Sequence, residues 1–316
     1  MDLITSLESI RPDQPTVLTI GTFDGVHVGH RRLITKMVAA AHARDMRAGV
    51  LTFYPHPAVV LRGREPAFYI TSPAEKAALF AEFGIDLVVT HPFDHETSLI
   101  TAGEFLQRLQ AHLDVREIWA GPDFAMGHNR EGTLDWFRER SPQTGVTVHV
   151  CEPVTRGGEV VSSSRVRAAL RAGDIEQVTS CLGRPFRIPG VVVEGKKRGQ
   201  TIGVATANLD LWAERAYPAV GVYACTAFVG SDRYAAATNI GFRPTFDDEN
   251  DHVSIEAHLL DFEGDLYGQE IALDFHTRLR PEKKFESVDA LIAQVHADIA
   301  TAREIHAQYT EGALRP

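Results

Sequence analysis

Cysteine is scarce in this chain. Three occur in 316 residues, Cys151, Cys181 and Cys225, far apart and in no Cys/His cluster with zinc spacing. That argues against a disulfide framework or a zinc module and suits a reducing cytoplasm. Long apolar runs are also missing: no stretch approaches the roughly 20 residues that a membrane helix needs. The first fourteen residues carry Asp2, Glu8, Arg11 and Asp13 and lack the basic start and apolar stretch of a signal peptide. Positive charge is in deficit as well. The formal net charge is −10, and both halves are mildly acidic. Neither half presents the broad basic face that non-specific nucleic-acid binding requires. The expectation is a cytoplasmic protein with no nucleic-acid partner and no membrane contact. Its oligomeric state is not legible.

Material for real cores is present. Hydrophobic residues make up 44% of the chain, and its length suits two domains. The first half alternates strand and helix signals. Thr16–Ile20 is an apolar strand and His30–Arg44 a helix with Leu33, Ile34, Met37, Val38 and Ala41 on one face. Strand and helix signals keep alternating up to a strand at 146–150. Repeated β-α-β implies a parallel, Rossmann-like sheet with helices on both faces. After Leu182 the pattern changes to strand-like pieces separated by Gly-, Asp- and Pro-rich turns, with one long helix near the end. That predicts a small antiparallel β-barrel with a C-terminal helix. The expected domains are 1–182 and 186–316, with Gly183–Pro185 as the entry turn.

Two constellations suggest phosphate chemistry. The first is Gly21-Thr-Phe-Asp-Gly-Val-His27-Val-Gly-His30, leaving a strand and entering a helix. Gly21, Gly25 and Gly29 allow tight turns and close approach to a ligand. His30, read as the helix start, joins His27 where free N–H groups and the helix dipole favour a phosphate. Fixed donors there would stabilise the charge that grows during adenylyl transfer. Downstream, Ser162, Ser163 and Ser164 with Arg165 and Arg167 are ordinary helix-cap material taken alone. Beside the H-x-G-H loop they read better as a pyrophosphate cradle.

The second constellation lies in 190–209. Gly195-Lys196-Lys-Arg-Gly199 is a glycine-bounded basic loop, open equally to an ATP-phosphate site and to a solvated hairpin. Thr206 and Asn208 are two apart, so on a strand they face one side and offer oxygen ligands to Mg²⁺. Glu256 lies in an alternating strand where Ile255, Ala257 and Leu259 would point inward and Ser254 and Glu256 outward. It is either a base for an alcohol nucleophile or a solvated glutamate.

The H-x-G-H and V-S-S-S-R-V-R motifs resemble the nucleotidylyltransferase superfamily. With LTFYPHP at 51–57 and GPDF at 121–124, the first half is similar to the FAD synthetase module of prokaryotic bifunctional riboflavin kinase/FAD synthetases. GKKRG, ATAN, AATNIGFRPTF at 236–246, IEAHLLDF, GDLYG and LRPEKKF follow in the order of the riboflavin kinase module. The resemblance implies a six-stranded barrel for the second half. It implies a transferase that phosphorylates riboflavin to FMN and adenylylates FMN to FAD, with ATP as co-substrate and Mg²⁺ as cofactor. It assigns His27 and His30 to the ATP phosphates. Gly21, Phe23, Asp24, Gly25, Gly29, Asp123 and Ser162 complete the nucleotide site. Ser163, Ser164 and Arg167 hold pyrophosphate. Phe124 and Arg280 lie toward flavin. Gly195, Lys196, Gly199, Thr206 and Asn208 serve kinase ATP, Thr206 and Asn208 through Mg²⁺, and Glu256 activates the ribityl hydroxyl. A narrower alternative keeps only the adenylylation, with the barrel as a flavin-binding or regulatory module.

Three positions depart from the family pattern. Ser164 stands for the usual threonine. Ala125-Met126 replaces Arg-Phe on the flavin side. Ala205 replaces the proline before Thr206, a change worth about 0.4–1 kcal/mol in backbone preference.

Overall fold

The computed structural model describes residues 1–63, 68–195, 204–243 and 252–312. Its contacts divide the chain into two compact units, Met1–Ser163 and Ser164–Pro316.

The first unit opens with β1 (Asp2–Ile4) and β2 (Thr16–Ile20), followed by α1 (Val28–His42), β3 (Arg47–Tyr54), α2 (Pro57–Arg62), α3 (Pro73–Glu82) and β4 (Leu87–Pro92). Then come α4 (His95–Leu99), α5 (Ala102–Leu113) and β5 (Val115–Ala120). A hairpin of β6 (Ala125–Met126) and β7 (Gly132–Thr133) precedes α6 (Leu134–Thr144) and β8 (Thr147–Val150). A second hairpin, β9 (Thr155–Arg156) with β10 (Glu159–Val160), leads to α7 (Ser163–Ala172) at the boundary between units. Six strands form one parallel sheet in the order β1-β4-β3-β2-β5-β8.

All five residues of β2 are buried. Its unbroken apolar run follows from cover on both faces. Val17 joins a layer with Ile34, Met37 and Val38 of α1 and Phe80 of α3. Leu18, the next residue, joins Leu106 and Leu109 of α5 on the other side. Each such side chain, fully buried, contributes about 1.5–3 kcal/mol. The expected α/β sheet is thus present. β1 was not foreseen: it is three residues long, and only its pairing with β4 identifies it.

In the second unit, α8 (Ile175–Leu182) leads into β11 (Phe186–Val193), β12 (Ala207–Asp210), β13 (Gly221–Val229), β14 (Asp232–Arg243), β15 (His252–Leu259) and β16 (Glu270–Arg280). These strands close into an antiparallel barrel, β11-β12-β15-β14-β13-β16. Closure leaves no unpaired sheet edge. The long helix α9 (Val288–Gly312) packs on β13 and β14. Cys151 in the first unit and Cys181 and Cys225 in the second are free, buried thiols.

Where α9 meets the barrel, the Thr226 hydroxyl sits 2.7 Å from His276 Nε2 and 2.9 Å from His306 Nδ1. The His276 ring stacks on Tyr309 at 3.9 Å. Burial pushes the His276 imidazole down to about 4; Asp274 opposes the shift and His306 adds to it. An unfolded histidine takes its proton near pH 6.5. Between about pH 6.5 and pH 4 the unfolded chain therefore binds the extra proton, and stability falls as pH falls. Between pH 7 and pH 5 the barrel should lose on the order of 2 kcal/mol through this residue. Urea unfolding of a His276→Gln chain at the two pH values checks this: its pH dependence should be shallower than that of the parent. Equal slopes would remove His276 as the cause.

Candidate active sites

The sheet order reverses beside β2: β3, β4 and β1 lie on one side, β5 and β8 on the other. In open α/β sheets, ligands bind beyond the carboxyl ends of the strands at such a reversal. Three motif stretches leave from there. Gly21 follows β2, Phe53–Pro57 runs from the end of β3, and Gly121–Phe124 follows β5. They share a cleft of about 680 Å³ whose lining includes Gly21, Thr22, Phe53, His56, Asp123, Phe124 and Met126. The sequence singled out Asp123 and Phe124. It did not foresee Phe93 and Phe105, whose rings lie 5.5 Å and 6.3 Å from Phe53.

The 21–30 loop is built tightly. Phe23, Gly25 and Val26 all take positive φ, 46°, 80° and 39°. A β-branched residue there is strained by an amount on the order of 1–3 kcal/mol, and burial of Phe23 and Val26 holds it. A Cβ on Gly25 would press on the Ile70 side chain at 3.0 Å. The Asp24 carboxylate accepts from Ile70 N at 3.0 Å and Thr71 N at 3.1 Å. Asp24 and Phe23, both buried, therefore shape the loop from beneath.

α1 begins at Val28, two residues earlier than expected. His27 takes the cap, because its Nδ1 accepts from His30 N at 3.3 Å. His30 is thus in the first turn and not the helix start. The two imidazoles stack with centroids 3.6 Å apart, and Phe23 meets His30 edge-on at 5.0 Å. Gly29 makes room for this: a Cβ there would stand 3.1 Å from the His27 ring. Burial holds His30 well below the usual histidine range, with His27 and Lys76 adding to the effect. The ring is neutral near pH 7, and its buried Nδ1 has no hydrogen-bond partner among the described residues.

Ser163 Oγ donates to the Asp24 carbonyl at 2.7 Å, tying the start of α7 to the loop. Ser162 precedes that helix. Ser164 and the buried Arg167 lie in its first turns, counted with the second unit. Met126 lines the cleft and is otherwise buried in the core. A cation is still present: Arg130 donates to the Asp123 carbonyl at 2.8 Å and lines the cleft.

In the barrel, the ladder sets Asn208 of β12 opposite Glu256 of β15, and Glu256 opposite Asn239 of β14. Directly opposed residues share a face, with Cβ atoms about 4.5–5.5 Å apart. Three polar residues from adjacent strands thus form one row. Gly195 belongs to it, since a Cβ there would fall 2.1 Å from the Asn208 amide. Asn208 is buried and Glu256 half-buried, while Ile255, Ala257 and Leu259 fill the core as expected. Ser254, expected outward, is also buried. Thr206 stands just before β12. Lys196 and Gly199 lie outside the described residues.

Arg280 is committed elsewhere. Its guanidinium meets the buried Asp298 carboxylate of α9 at 2.8 and 2.9 Å, so any flavin contact competes with this pair. From the same segment it is Glu282 that reaches the row, 3.4 Å from Asn239 Nδ2. The Ala205 carbonyl lies 2.7 Å from His258 Nδ1. That ring steadies the residue that lacks proline's rigidity. Lys76 was not singled out by the sequence, although its place on the Ala77/Phe80 stripe of α3 was the available signal.

Comparison with known proteins matches residues 9–165 to the FAD synthetase family and residues 182–306 to the riboflavin kinase family. The chain is 35% identical over 314 residues to a bifunctional riboflavin kinase/FMN adenylyltransferase of Pseudomonas fluorescens, covering 97% of this chain and 98% of that one. It is 34% identical to the Bacillus subtilis (strain 168) enzyme of the same description, over 90% of each chain. A solved structure described as a macrolide-efflux protein from Streptococcus pneumoniae superposes with a TM-score of 0.88 at 30% identity, covering 96% of this chain and 98% of that one. No helix among the described residues is long and apolar enough to cross a membrane. Over nearly its whole length, then, the chain belongs to the bifunctional riboflavin kinase/FMN adenylyltransferase family, with both activities of FAD synthesis.

Proposed function

We propose that the cleft of the first unit performs the adenylylation and the Asn208–Glu256 row the phosphorylation, on riboflavin, FMN and ATP. The observation that carries this is the meeting of the phosphate loop and an aromatic cleft at the reversal of the sheet. About 680 Å³ suits one ligand of flavin size. In adenylylation an FMN phosphate oxygen attacks the α-phosphorus of ATP and pyrophosphate leaves. His27 and His30, with the free N–H groups of α1, stabilise the growing negative charge. Ser163, Ser164 and Arg167 take the pyrophosphate. Phe124 offers its ring to the flavin and Asp123 lines the nucleotide side.

In phosphorylation the Glu256 carboxylate takes the proton of the ribityl 5′-hydroxyl as that oxygen attacks the γ-phosphorus and ADP leaves. Thr206 and Asn208 present oxygen donors, which fit Mg²⁺, and they would hold it against the ATP phosphates. When bound, the ion neutralises phosphate charge. We take 1–182 and 186–316 as the two functional modules, although α7 from Ser164 onward and all of α8 are counted with the second unit. The buried free thiols suit the reducing cytoplasm expected.

Chromatography of products from riboflavin, ATP and Mg²⁺ tests the scheme. FMN should accumulate and then convert to FAD, and chelation of Mg²⁺ should stop both steps. FAD formed from supplied FMN without any FMN formed from riboflavin would return the barrel to a binding role. No feature of the Asn208–Glu256–Asn239 row favours that narrower reading.

A further inference from the structure

We propose that Lys76 is a positioning residue of the adenylyltransferase site: its buried ammonium holds the phosphate loop at Thr22 and supplies the fixed positive charge beside the His27–His30 stack. This rests on reading the 21–30 loop as the adenylylation site.

Lys76 projects from the apolar stripe of α3 with Ala77 and Phe80 and is only 3% exposed. A buried ammonium is costly unless it is paired and hydrogen-bonded. Here Nζ donates to the Thr22 carbonyl at 3.1 Å and to Thr52 Oγ1 at 3.2 Å. Thr52 Oγ1 in turn donates to the same Thr22 carbonyl at 3.1 Å. Thr22 is the first turn residue after Gly21, so this triangle fixes where the loop leaves β2. The base of the lysine is rigid as well. Ser72 and Glu75 close a reciprocal cap at the start of α3, and the preceding Ile70 and Thr71 hold the Asp24 carboxylate. One segment, 70–76, thus grips the loop at two points, with N–H groups on Asp24 and with an ammonium on Thr22.

The charge itself needs a reason. Methionine would fill the stripe without the desolvation cost, and buried charges are often replaceable by apolar groups with no loss of stability. An ammonium has three N–H donors, and two acceptors are seen among the described residues. The charged groups that act on it or feel it are Asp24 and His30. ATP phosphates arriving at α1 would enter the field of this cation. Burial brings the Lys76 ammonium down to about 8, with Asp24 opposing. Its charge is therefore lost within a measurable range, above the region where carboxylates and imidazoles as classes titrate.

The test uses full-length Lys76→Met and Lys76→Arg chains. FAD formation from FMN and ATP is followed from about pH 6.5 to about pH 9.5, with riboflavin phosphorylation by the same preparation as reference. The parent should lose FAD formation, relative to the reference, as pH rises through about 8. Lys76→Met should lose about 10²-fold in kcat/KM for ATP at neutral pH and show no alkaline fall. Lys76→Arg should keep most activity and move the fall to higher pH. Parent-like kcat/KM in Lys76→Met, or an unchanged alkaline fall in either variant, overturns the proposal. Near-ultraviolet circular dichroism reports whether Lys76→Met folds. If it does not, the position of the alkaline fall in Lys76→Arg decides. A His30→Ala chain separates the two levels. If it still makes FAD, the site reading fails; if it is inactive while Lys76→Met is fully active, only the role of Lys76 fails.

Discussion

FAD formation should fall at least about 10²-fold in a His30→Ala chain, while FMN formation from riboflavin should stay at the parent's rate. The size of the loss follows from how the ring is held. His30 is fixed from three sides: by Phe23 at its edge, by His27 stacked on its face, and by its own backbone N–H on His27 Nδ1. A donor placed in advance costs no reorganisation when charge develops at the phosphorus. Alanine removes that donor and also leaves the His27 ring without its stacking partner. The cap remains, because it uses the backbone N–H of residue 30, so α1 should persist. Coupled assays separate the two steps, one started from riboflavin and the other from FMN. Near-parental FAD synthesis would take His30 out of the chemistry.

Glu256→Gln should lower riboflavin phosphorylation by about 10²–10⁴-fold and leave adenylylation of supplied FMN unchanged. The substitution keeps shape and hydrogen bonding along the row but removes the proton acceptor. Glu256 stands between Asn208 and Asn239 on β12 and β14. A half-buried carboxylate there has neighbours that orient it, which a freely solvated glutamate would lack. The unfolding midpoint should barely move, since Ile255 and Ala257 carry the core contacts of that strand. A mutant that phosphorylates riboflavin at full rate would mark Glu256 as one polar residue in a row and nothing more.

Much of this was readable because the signals were local. Val17 and Leu18 belong to opposite layers, so both had to be apolar, and the TVLTI run said so. The spacing of glycines and histidines in 21–30 disclosed a strand-to-helix turn for the same reason. What stayed hidden depends on distant partners. β1 exists because β4 pairs with it. The true start of α1 depends on the hydrogen bond that His27, an unusual capping residue, accepts from His30 N. Lys76 was not singled out by the sequence, and only the fold brings it to Thr22. The competing partner of Arg280, Asp298, lies on a helix whose docking no spacing discloses. Ser254 alternates with Ile255 along β15 and yet is buried as well.

The three buried thiols give the molecule an internal clock. A thiol reagent needs a thiolate it can reach. Cys225 lies on β13 opposite Ala236 and Phe275, and burial raises its thiol well above the ordinary range. Its labelling must therefore wait until strands of the barrel part, while labelling of Cys151 waits on the first unit. Rates of this kind count local openings one compact unit at a time. Riboflavin or ADP should slow the Cys225 channel and FMN with a non-reacting ATP analogue the Cys151 channel, so occupancy of each site could be timed without watching either reaction.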